Sequence, residues 1–444
     1  MGVSEPSVAL VSLELANIER GNTAECREEL TAAPNVFEPP PADTGAGAWK
    51  FLAGCFLVEA LLWGFLLSYG VFQNYYTQMP EFAGQTSNIS AVGTVGTSIY
   101  FIAAPFASPL MKRYQRWQRH MLATGWAVCA ASLLVASFTS SVQGIIATQG
   151  VMYGIGFLLL YFPVIMMLND WFVQRRGFAF SFLYAGGGVS GAGLPFLLEW
   201  LLSSAGYRTT LRIVAAVQFA ALVPGMMLLK PRLPPSRDAA LRRVDLKFFG
   251  KPLFWFFMLS NIFQGLGYYI PSLYLPTFAT AIGLSRSIGA LLLAVNNLAT
   301  VVGQLGFGYL SDRYANIHVL VFVTTFVSAV AAFCLWGLAT SLAPLLIFAF
   351  LYGSFAGAYV VFWSAFGSLL SEDPQPVYSL MAFGKGIGNI LTAPISAALL
   401  SRPMTSGYGK GTFGPLIIFL GTCMFLSSLQ ITWLSFRRLP KFST

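Results

Sequence analysis

Long apolar stretches dominate this chain of 444 residues, and many exceed the roughly 18 residues that mark a membrane-spanning helix. We expect twelve spans, near residues 50–76, 91–111, 120–138, 142–167, 177–200, 208–229, 252–279, 286–310, 318–339, 343–370, 377–400 and 413–436. Soluble domains are roughly one-quarter charged, whereas this chain is only 10% charged and 56% apolar. The sequence therefore predicts an all-α integral membrane protein rather than a soluble enzyme or nucleic-acid-binding protein.

The chain also repeats itself. The segment SPLMKRY, which ends at Tyr114, is echoed 200 residues later by GYLSDRY, which ends at Tyr314. Each copy closes one long apolar stretch, so we interpret the chain as two six-helix halves around a central cavity. Repeated halves with a binding site near the membrane midplane are the construction of secondary transporters.

The polar segments give the domain division. We predict a disordered acidic tail, a first half, a basic central loop, a second half and a short C-terminal tail, at 1–47, 48–229, 230–251, 252–436 and 437–444. The first tail is polar and rich in carboxylates, which is typical of disorder. Pro231, Pro234 and Pro235 argue against a helix through the central loop.

Lys and Arg are distributed unequally between the two sides of the predicted bundle. One side receives the loop 112–119, Arg175, Arg176, the central loop, Arg313 and the C-terminal tail. Cytosolic loops carry an excess of Lys and Arg. We therefore expect both termini in the cytosol. The plasma membrane is the expected location, with a vacuolar or other organelle membrane as the alternative.

A loop motif at residues 308–314 resembles the signature of a known family. Gly308 is followed by Asp312 and Arg313 four and five positions later, and in a twelve-span chain this resembles the loop signature of the major facilitator superfamily. The resemblance implies a conformational latch, in which Asp312 accepts from a neighbouring helix N-terminus and pairs with Arg across the interface between the halves. We expect Arg113, Arg175 and Arg176 to belong to this latch. The first copy has Lys112 in place of the acid, which leaves its latch open to question.

Two further segments resemble the fungal branch of the monocarboxylate porters within that superfamily. One is Trp171–Ala179 with the glycines that follow it. The other is an incomplete match to the branch's second signature, at Gly45, Ala48 and Trp49. Small residues let helices pack closely in lipid. We expect Gly187 and Gly191, with Gly384 and Gly388 at equivalent places in the second half, to be helix-packing positions that permit rocking.

Two ionisable residues lie deep within predicted spans, where such residues are functional candidates by default. Glu59 and Lys385 lie roughly 12–15 Å from their span ends, near the midplane. Because burial disfavours the charged carboxylate, Glu59 is a candidate carrier of a coupling proton. Lys385 is a candidate for binding an anionic substrate or for pairing with Glu59 in one state. A structural ion pair or a snorkelling side chain is the alternative for each.

The chain departs from the studied monocarboxylate porters, which use a Lys in span one and an Asp–Arg pair in span eight. Span one here has no Lys, and span eight has Asn296 and Asn297. Proton–monocarboxylate symport by that mechanism therefore cannot be assigned to this chain. A neutral or larger amphipathic substrate is favoured instead. The other polar and aromatic cavity candidates are Trp63, Tyr69, Tyr153, Tyr161, Tyr268, Tyr269, Tyr359 and Trp363.

We therefore expect a secondary transporter that moves a small organic solute by alternating access, with protons as the coupling ion. Efflux of a secondary metabolite or drug is the alternative direction, and a transporter-like nutrient sensor is the alternative class. An intramembrane enzyme is disfavoured because the chain's two His residues lie at span ends. We expect no cofactor, no metal and no nucleic-acid partner. The expected partners are the solute, protons and the lipid bilayer around a monomer.

Overall fold

The computed structural model describes residues 40–77, 79–82, 86–234, 246–314, 316–405 and 407–431, without the side chains of a few helical residues. Most of the predicted acidic tail, much of the central loop and the C-terminal tail 437–444 lie outside these ranges. The predicted disorder of the acidic tail and the predicted cytosolic location of all three segments therefore stay predictions.

The described chain is helical throughout its predicted spans. The helices of the first half are α1 (Gly45–Tyr76), α2 (Thr86–Arg113), α3 (Gln118–Ala136), α4 (Val142–Trp171) and one long helix, Arg176–Leu228. Gly206 interrupts this long helix with φ 72° and ψ 168°. Its arms are α5 (176–205) and α6 (207–228). A positive φ of this kind favours glycine.

The second half repeats this order. Its helices are α7 (Pro252–Tyr268 and Ile270–Ala281), α8 (Arg286–Arg313), α9 (Ile317–Trp336), α10 (Leu342–Leu370), α11 (Gln375–Leu400) and α12 (Gly414–Ser428). Within the described ranges, seven helices are each long and apolar enough to cross a membrane. The all-α membrane fold is therefore confirmed.

Two predicted boundaries were wrong. We expected a loop between spans 177–200 and 208–229, but the helix continues to Gly206 and resumes directly after it. We expected one unbroken span at 252–279, but Tyr269 separates two helices. Apolar periodicity predicts that a segment is helical, but it does not reveal a break of a single residue.

Several helix ends meet at one end of the bundle, which we call the basic end because Lys112, Arg175 and Arg176 lie there. α1 and α5 begin there, and α4 ends there. Asp43, just before α1, donates its backbone N–H to Trp171 O at 2.9 Å. The Trp171 indole in turn donates to Lys230 O at 2.9 Å, which places the end of α6 at the same level.

Three helices are irregular near their middles, whereas α4 and α9 have π-helical turns nearer one end, at Ile146–Met152 and Ala331–Trp336. α1 contains a π-helical turn at Glu59–Trp63, α7 breaks at Tyr269, and α10 tightens into a 3₁₀ turn at Gly357–Val361. In lipid, irregular backbone is tolerated where it is buried in protein or lines a cavity. The three irregular turns therefore mark the region where a solute site would be expected.

Candidate functional site

A cavity of about 140 Å³ lies between the two halves of the bundle, and all three irregular turns contribute to its wall. Nine of the twelve predicted cavity residues line it: Glu59, Trp63, Tyr161, Tyr268, Tyr269, Asn296, Asn297, Trp363 and Lys385. The structure thus brings the two predicted midplane charges to one site. Their roles in binding or coupling stay predictions.

The other three candidates, Tyr69, Tyr153 and Tyr359, are not among the residues that line this cavity, and their roles stay predictions. Tyr69 donates to Ile89 O at 2.9 Å, Tyr153 to Leu62 O at 3.1 Å, and Tyr359 to Ser260 Oγ at 2.9 Å. Each hydroxyl joins helices within one half. A tyrosine in a lipid-buried bundle needs a hydrogen-bond partner wherever it lies, so its presence in a span does not distinguish helix packing from a cavity.

Glu59 lies at the start of the π-helical turn of α1 and is only 5% exposed. Its side chain packs against Gly187 of α5, where an added Cβ would lie 3.4 Å from Glu59 Oε1. The Tyr161 hydroxyl interacts with the carboxyl group. Even so, neither Glu59 Oε2 nor Tyr161 Oη has a partner with hydrogen-bond geometry among the described residues. The acid is thus buried without a compensating cation.

Lys385 lies across the cavity on α11 and is 4% exposed. Its ammonium group donates to Gln264 Oε1 at 2.7 Å and lies 3.7 Å from the centre of the Tyr268 ring. A cation over an aromatic face is attracted by the ring quadrupole. In this conformation the described residues contain no ion pair between Lys385 and Glu59.

Aromatic side chains form the remaining wall. Trp63 contacts Tyr100 and Tyr161 at ring-centroid distances of 5.8 and 6.3 Å. Below them, the Tyr184 and Tyr378 hydroxyls share a hydrogen bond of 2.6 Å that joins α5 to α11 across the two halves.

Our sequence interpretation missed Tyr100, Tyr184 and Tyr378 as cavity residues. Helical spacing could have found two of them. Tyr184 is three residues before Gly187, and Tyr378 is seven before Lys385, so each shares a helix face with a residue that we had selected. Tyr100 has no such relation to the residues that we chose in its own span.

At the basic end, Asp312 of α8 meets the N-terminus of α5. Its two carboxylate oxygens accept the backbone N–H groups of Gly177 and Phe178 at 2.7 and 2.8 Å. Close approach of the helices permits this, because an added Cβ on Gly308 would lie 2.6 Å from Gly177 O. A helix N-terminus carries unsatisfied donors and a partial positive charge. The contact joins the two halves, and its role as a latch stays a prediction.

The first-half counterpart of Asp312 is also engaged. Lys112 forms an ion pair with Asp373, which lies just before α11. The question that the sequence left open therefore has a structural answer: a contact between the halves exists at this position, with the charges arranged differently. Asn169 and Gln375 form a further hydrogen bond between α4 and α11, at 3.3 Å.

The four predicted latch arginines are placed differently from one another. Arg176 donates to Ser368 Oγ at 2.9 Å across the halves, and Arg313 lies 4.8 Å from the Tyr309 ring centre. Arg113 and Arg175 have exposed side chains. In the described part of the chain no arginine lies within ion-pair distance of Asp312. The expected Asp–Arg pairing is therefore not formed in this conformation.

Asp43 is a second acid at the start of α5, and the sequence interpretation missed it. Its carboxylate accepts the backbone N–H groups of Val173, Gln174 and Arg175 at 2.8–3.1 Å. Asp43 has φ 60°, a conformation that Asp adopts more readily than most residues. It holds the turn between α4 and α5 within the first half, whereas Asp312 reaches the same turn from the second half.

The predicted packing glycines lie at helix contacts. Asn297 of α8 donates to Gly191 O of α5 at 3.0 Å. An added Cβ on Gly384 would lie 2.7 Å from Met258 Sδ, and one on Gly388 would lie 2.6 Å from Leu266 N, both on α7. Gly388 therefore permits a backbone contact that a larger residue would prevent. Rocking about these contacts stays a prediction.

The cavity reaches the surface of the bundle on the side away from the basic end. Among its lining residues, Leu67 is 47% exposed and Ser272 is also exposed. Leu67 lies about 12 Å beyond Glu59 along α1, away from the basic end. The contacts between the halves described above lie at the cavity or between it and the basic end. The structure is thus closed at the basic end.

Known proteins resemble this chain in sequence. Residues 61–393 match the family described as Major Facilitator Superfamily. The chain is 27% identical to the MFS transporter asaE of Aspergillus flavus over 90% of this chain and 91% of that protein. It is 26% identical to the aspyridones efflux protein apdF of Emericella nidulans over 84% of this chain and 76% of that protein.

Solved structures resemble the fold. The nucleoside transporter NupG aligns with a TM-score of 0.59 and 13% sequence identity, over 88% of this chain and 99% of that one. At this identity the likeness concerns the fold alone. It agrees with two six-helix halves around a central cavity.

Proposed function

Because the chain belongs to the major facilitator superfamily, we propose that this multi-pass membrane transporter exports a ring-containing organic metabolite from the cytosol in exchange for protons. The cavity between the halves carries the proposal. It combines an aromatic wall with one buried acid and one buried base on opposite sides. Aromatic walls with a few convergent polar groups suit organic ligands.

Export rather than uptake is supported by the relatives. apdF is named as an efflux protein for aspyridones, and apdF and this chain align over most of their lengths. The basic end would face the cytosol under the positive-inside rule. The described conformation would then be outward-facing, as expected for an exporter after it has released its solute. The plasma membrane is the location that such a role requires.

Glu59 is the proposed proton carrier. A buried carboxylate without a cationic partner is unfavourable, so Glu59 would take up a proton in the outward-facing state and carry it through the closed state. It would release the proton to the cytosol when the cavity opens there and the solute binds. The Tyr161 hydroxyl beside it could donate to the charged form. Because Lys385 has other partners in this conformation, Glu59 does not depend on it for proton uptake and release.

A metabolite comparison tests the transport direction. Three cultures are grown in parallel: cells with the protein, cells without it and cells that carry Glu59→Gln. Solutes inside the cells and in the medium of each culture are compared by mass spectrometry. We expect one or a few ring-containing solutes to fall about tenfold in the medium and to rise in the cells without the protein. Depletion inside the cells, with accumulation in the medium, would instead identify an importer.

Vesicle measurements then test proton coupling with the solute so identified. In wild-type vesicles an imposed pH gradient should accelerate transport of the solute. Glu59→Gln should abolish this acceleration, while exchange of labelled for unlabelled solute continues. The matched control is Glu199→Gln, since Glu199 is an exposed acid on α5 outside the cavity lining. A Glu59→Gln protein that still concentrates solute against a pH gradient would exclude Glu59 as the carrier.

The narrower expectations remain part of the proposal. The resemblance to fungal monocarboxylate porters rests on two short segments, and we retain a carboxylate-bearing solute only as a competitor to be tested. A monomer also remains part of the proposal.

A further inference from the structure

The cavity is unevenly supplied with hydrogen-bond partners. With Glu59 in its ionised form, three buried acceptor atoms on residues that line it have no partner in the described part of the chain: Glu59 Oε2, Asn296 Oδ1 and Gln304 Oε1. The Tyr161 hydroxyl, which can donate or accept, is the remaining lining group without a partner there. All three residues are at least nine-tenths buried. Buried polar groups in native proteins are nearly always hydrogen-bonded, so these atoms indicate a demand for donors.

The Gln304 amide has a defined orientation. Its Nε2 group donates to Gly357 O at 3.2 Å, in the 3₁₀ turn of α10. Reversing the amide would place oxygen against oxygen, so Oε1 must be the atom left without a donor. Gln304 lies on α8 and Glu59 on α1. The unmet acceptors therefore lie in both halves.

The base on the other wall is already compensated. Gln264 Oε1 accepts from Lys385, while Gln264 Nε2 donates to Ala356 O at 3.1 Å, which fixes that amide too. The Tyr268 ring lies against the same ammonium group at 3.7 Å. An anionic solute would have to compete with both partners and would meet the Glu59 carboxyl group in the same cavity.

We propose that the transported solute is a neutral ring-bearing molecule with at least two hydrogen-bond donors, such as amide N–H or hydroxyl groups, which bind Glu59 and Gln304. Its ring packs on the wall formed by Trp63 and Tyr161. This assignment rests on the proposed function, which it deepens by naming the solute class. A simple carboxylate binds poorly because it supplies only acceptors.

Three probes with one ring separate donor recognition from anion recognition. Benzamide donates N–H groups, methyl benzoate only accepts, and benzoate is an anion. Dissociation constants are measured by saturation-transfer NMR on the purified full-length protein. We expect benzamide to bind about tenfold more tightly than either other probe. Tightest binding by benzoate, lost in Lys385→Met, would overturn the proposal, as would equal binding of all three.

Variants of the cavity residues test which side chains accept the hydrogen bonds that the solute donates. Gln304→Leu and Glu59→Leu should each weaken benzamide binding about tenfold, whereas Glu59→Gln retains a carbonyl acceptor and should bind benzamide almost normally. Gln218→Leu is the matched control, because Gln218 Oε1 is also buried without a partner but Gln218 does not line the cavity. Unchanged benzamide affinity in Gln304→Leu would contradict the proposal.

Two further measurements separate loss of folding from loss of function and the binding proposal from the coupling proposal. Size-exclusion profiles exclude variants that fail to fold, and Gln304→Leu offers a second site if Glu59→Leu is lost in this way. Glu59→Gln distinguishes the two proposals. Normal proton coupling in this variant would contradict the coupling proposal. Normal benzamide binding in the same variant would still support donor recognition.

Discussion

Two junctions close the basic end of the bundle, and they use different chemistry at positions related by the 200-residue repeat. Asp312 of α8 accepts two backbone N–H groups at the start of α5, whereas Lys112 of α2 pairs with Asp373 before α11. The first places a charge against a helix terminus, where donors are fixed. The second joins two side chains that are 22% and 31% exposed.

The difference indicates unequal strength. Charge-assisted bonds to a helix N-terminus stabilise by roughly 0.5–2 kcal/mol, while partly exposed ion pairs contribute roughly 0–1 kcal/mol and weaken in salt. We therefore expect the α2–α11 junction to open more easily than the α5–α8 junction. The repeat gives both halves the same scaffold, and we expect the substituted charge to make the α2–α11 contact the weaker of the two junctions.

A single reporter can measure both junctions. Asn169→Cys lies between α4 and α11, where Asn169 is partly buried against Gln375. Its alkylation by a water-soluble maleimide reports opening of the basic end. The exposed Cys334 and also Cys26, which is outside the described residues, are replaced by Ser in this background.

The largest expected effect comes from Gly308→Leu. An added side chain would meet Gly177 O and Ser181 Cβ within 3 Å, so α5 and α8 must separate, at an overpacking cost of roughly 1–3 kcal/mol. Reporter alkylation should accelerate about tenfold or more. The control is Gly306→Leu on the same helix, where an added Cβ has no atom within 4 Å. Equal acceleration in both variants would contradict a specific contact at Gly308.

Asp312→Ala should produce the next effect. It leaves the Gly177 and Phe178 N–H groups without their acceptor, at a cost of roughly 0.5–2 kcal/mol, so alkylation should rise about twofold to thirtyfold. Asp43→Ala is the matched control, because it removes three acceptor bonds from the adjoining turn but within one half. The control should lower the thermal midpoint without raising alkylation; a rise equal to that of Asp312→Ala would argue against a latch between the halves.

Much of the frame that holds these junctions could be predicted from the sequence. Long apolar stretches predict helices because a lipid-spanning backbone must satisfy its own hydrogen bonds, and the repeat indicates two halves. The resemblance of the segment with Gly308 and Asp312 to the superfamily's loop signature also implied a contact with a helix terminus. Glu59 and Lys385 could be selected because charges are costly at membrane depth.

The remaining features depend on geometry that one sequence does not contain. Tyr153 and Tyr161 have the same chemistry and lie on one helix, yet only Tyr161 faces the cavity. The partner of Lys112 was unpredictable because Asp373 is 261 residues away, in the other half. Asp43 was overlooked because it belonged to a segment predicted to be disordered, although its carboxylate holds the first turn before α5.

Charge exchange tests the weaker junction. Lys112→Ala should raise alkylation by no more than about fivefold, as expected for a partly exposed ion pair worth up to about 1 kcal/mol. Lys112→Asp should raise it further, since two carboxylates would then face each other. Adding Asp373→Lys should restore the slow rate. Arg113→Ala, one residue away and exposed, should leave the rate unchanged. Failure of the exchanged pair to restore closure would exclude a charge-based junction.

Ionic strength should produce the smallest effect and should separate the two junctions without changing a residue near Asp312. Raising salt from 0.1 to 1 M shortens the screening length from about 10 to about 3 Å, which weakens the partly exposed Lys112–Asp373 pair. Alkylation should rise about twofold in the reporter protein. In Lys112→Ala the salt response should vanish, because the remaining junction at Asp312 consists of direct bonds to backbone N–H groups, which salt screens less. A salt response that persists in Lys112→Ala but disappears in Asp312→Ala would reverse our ranking of the two junctions.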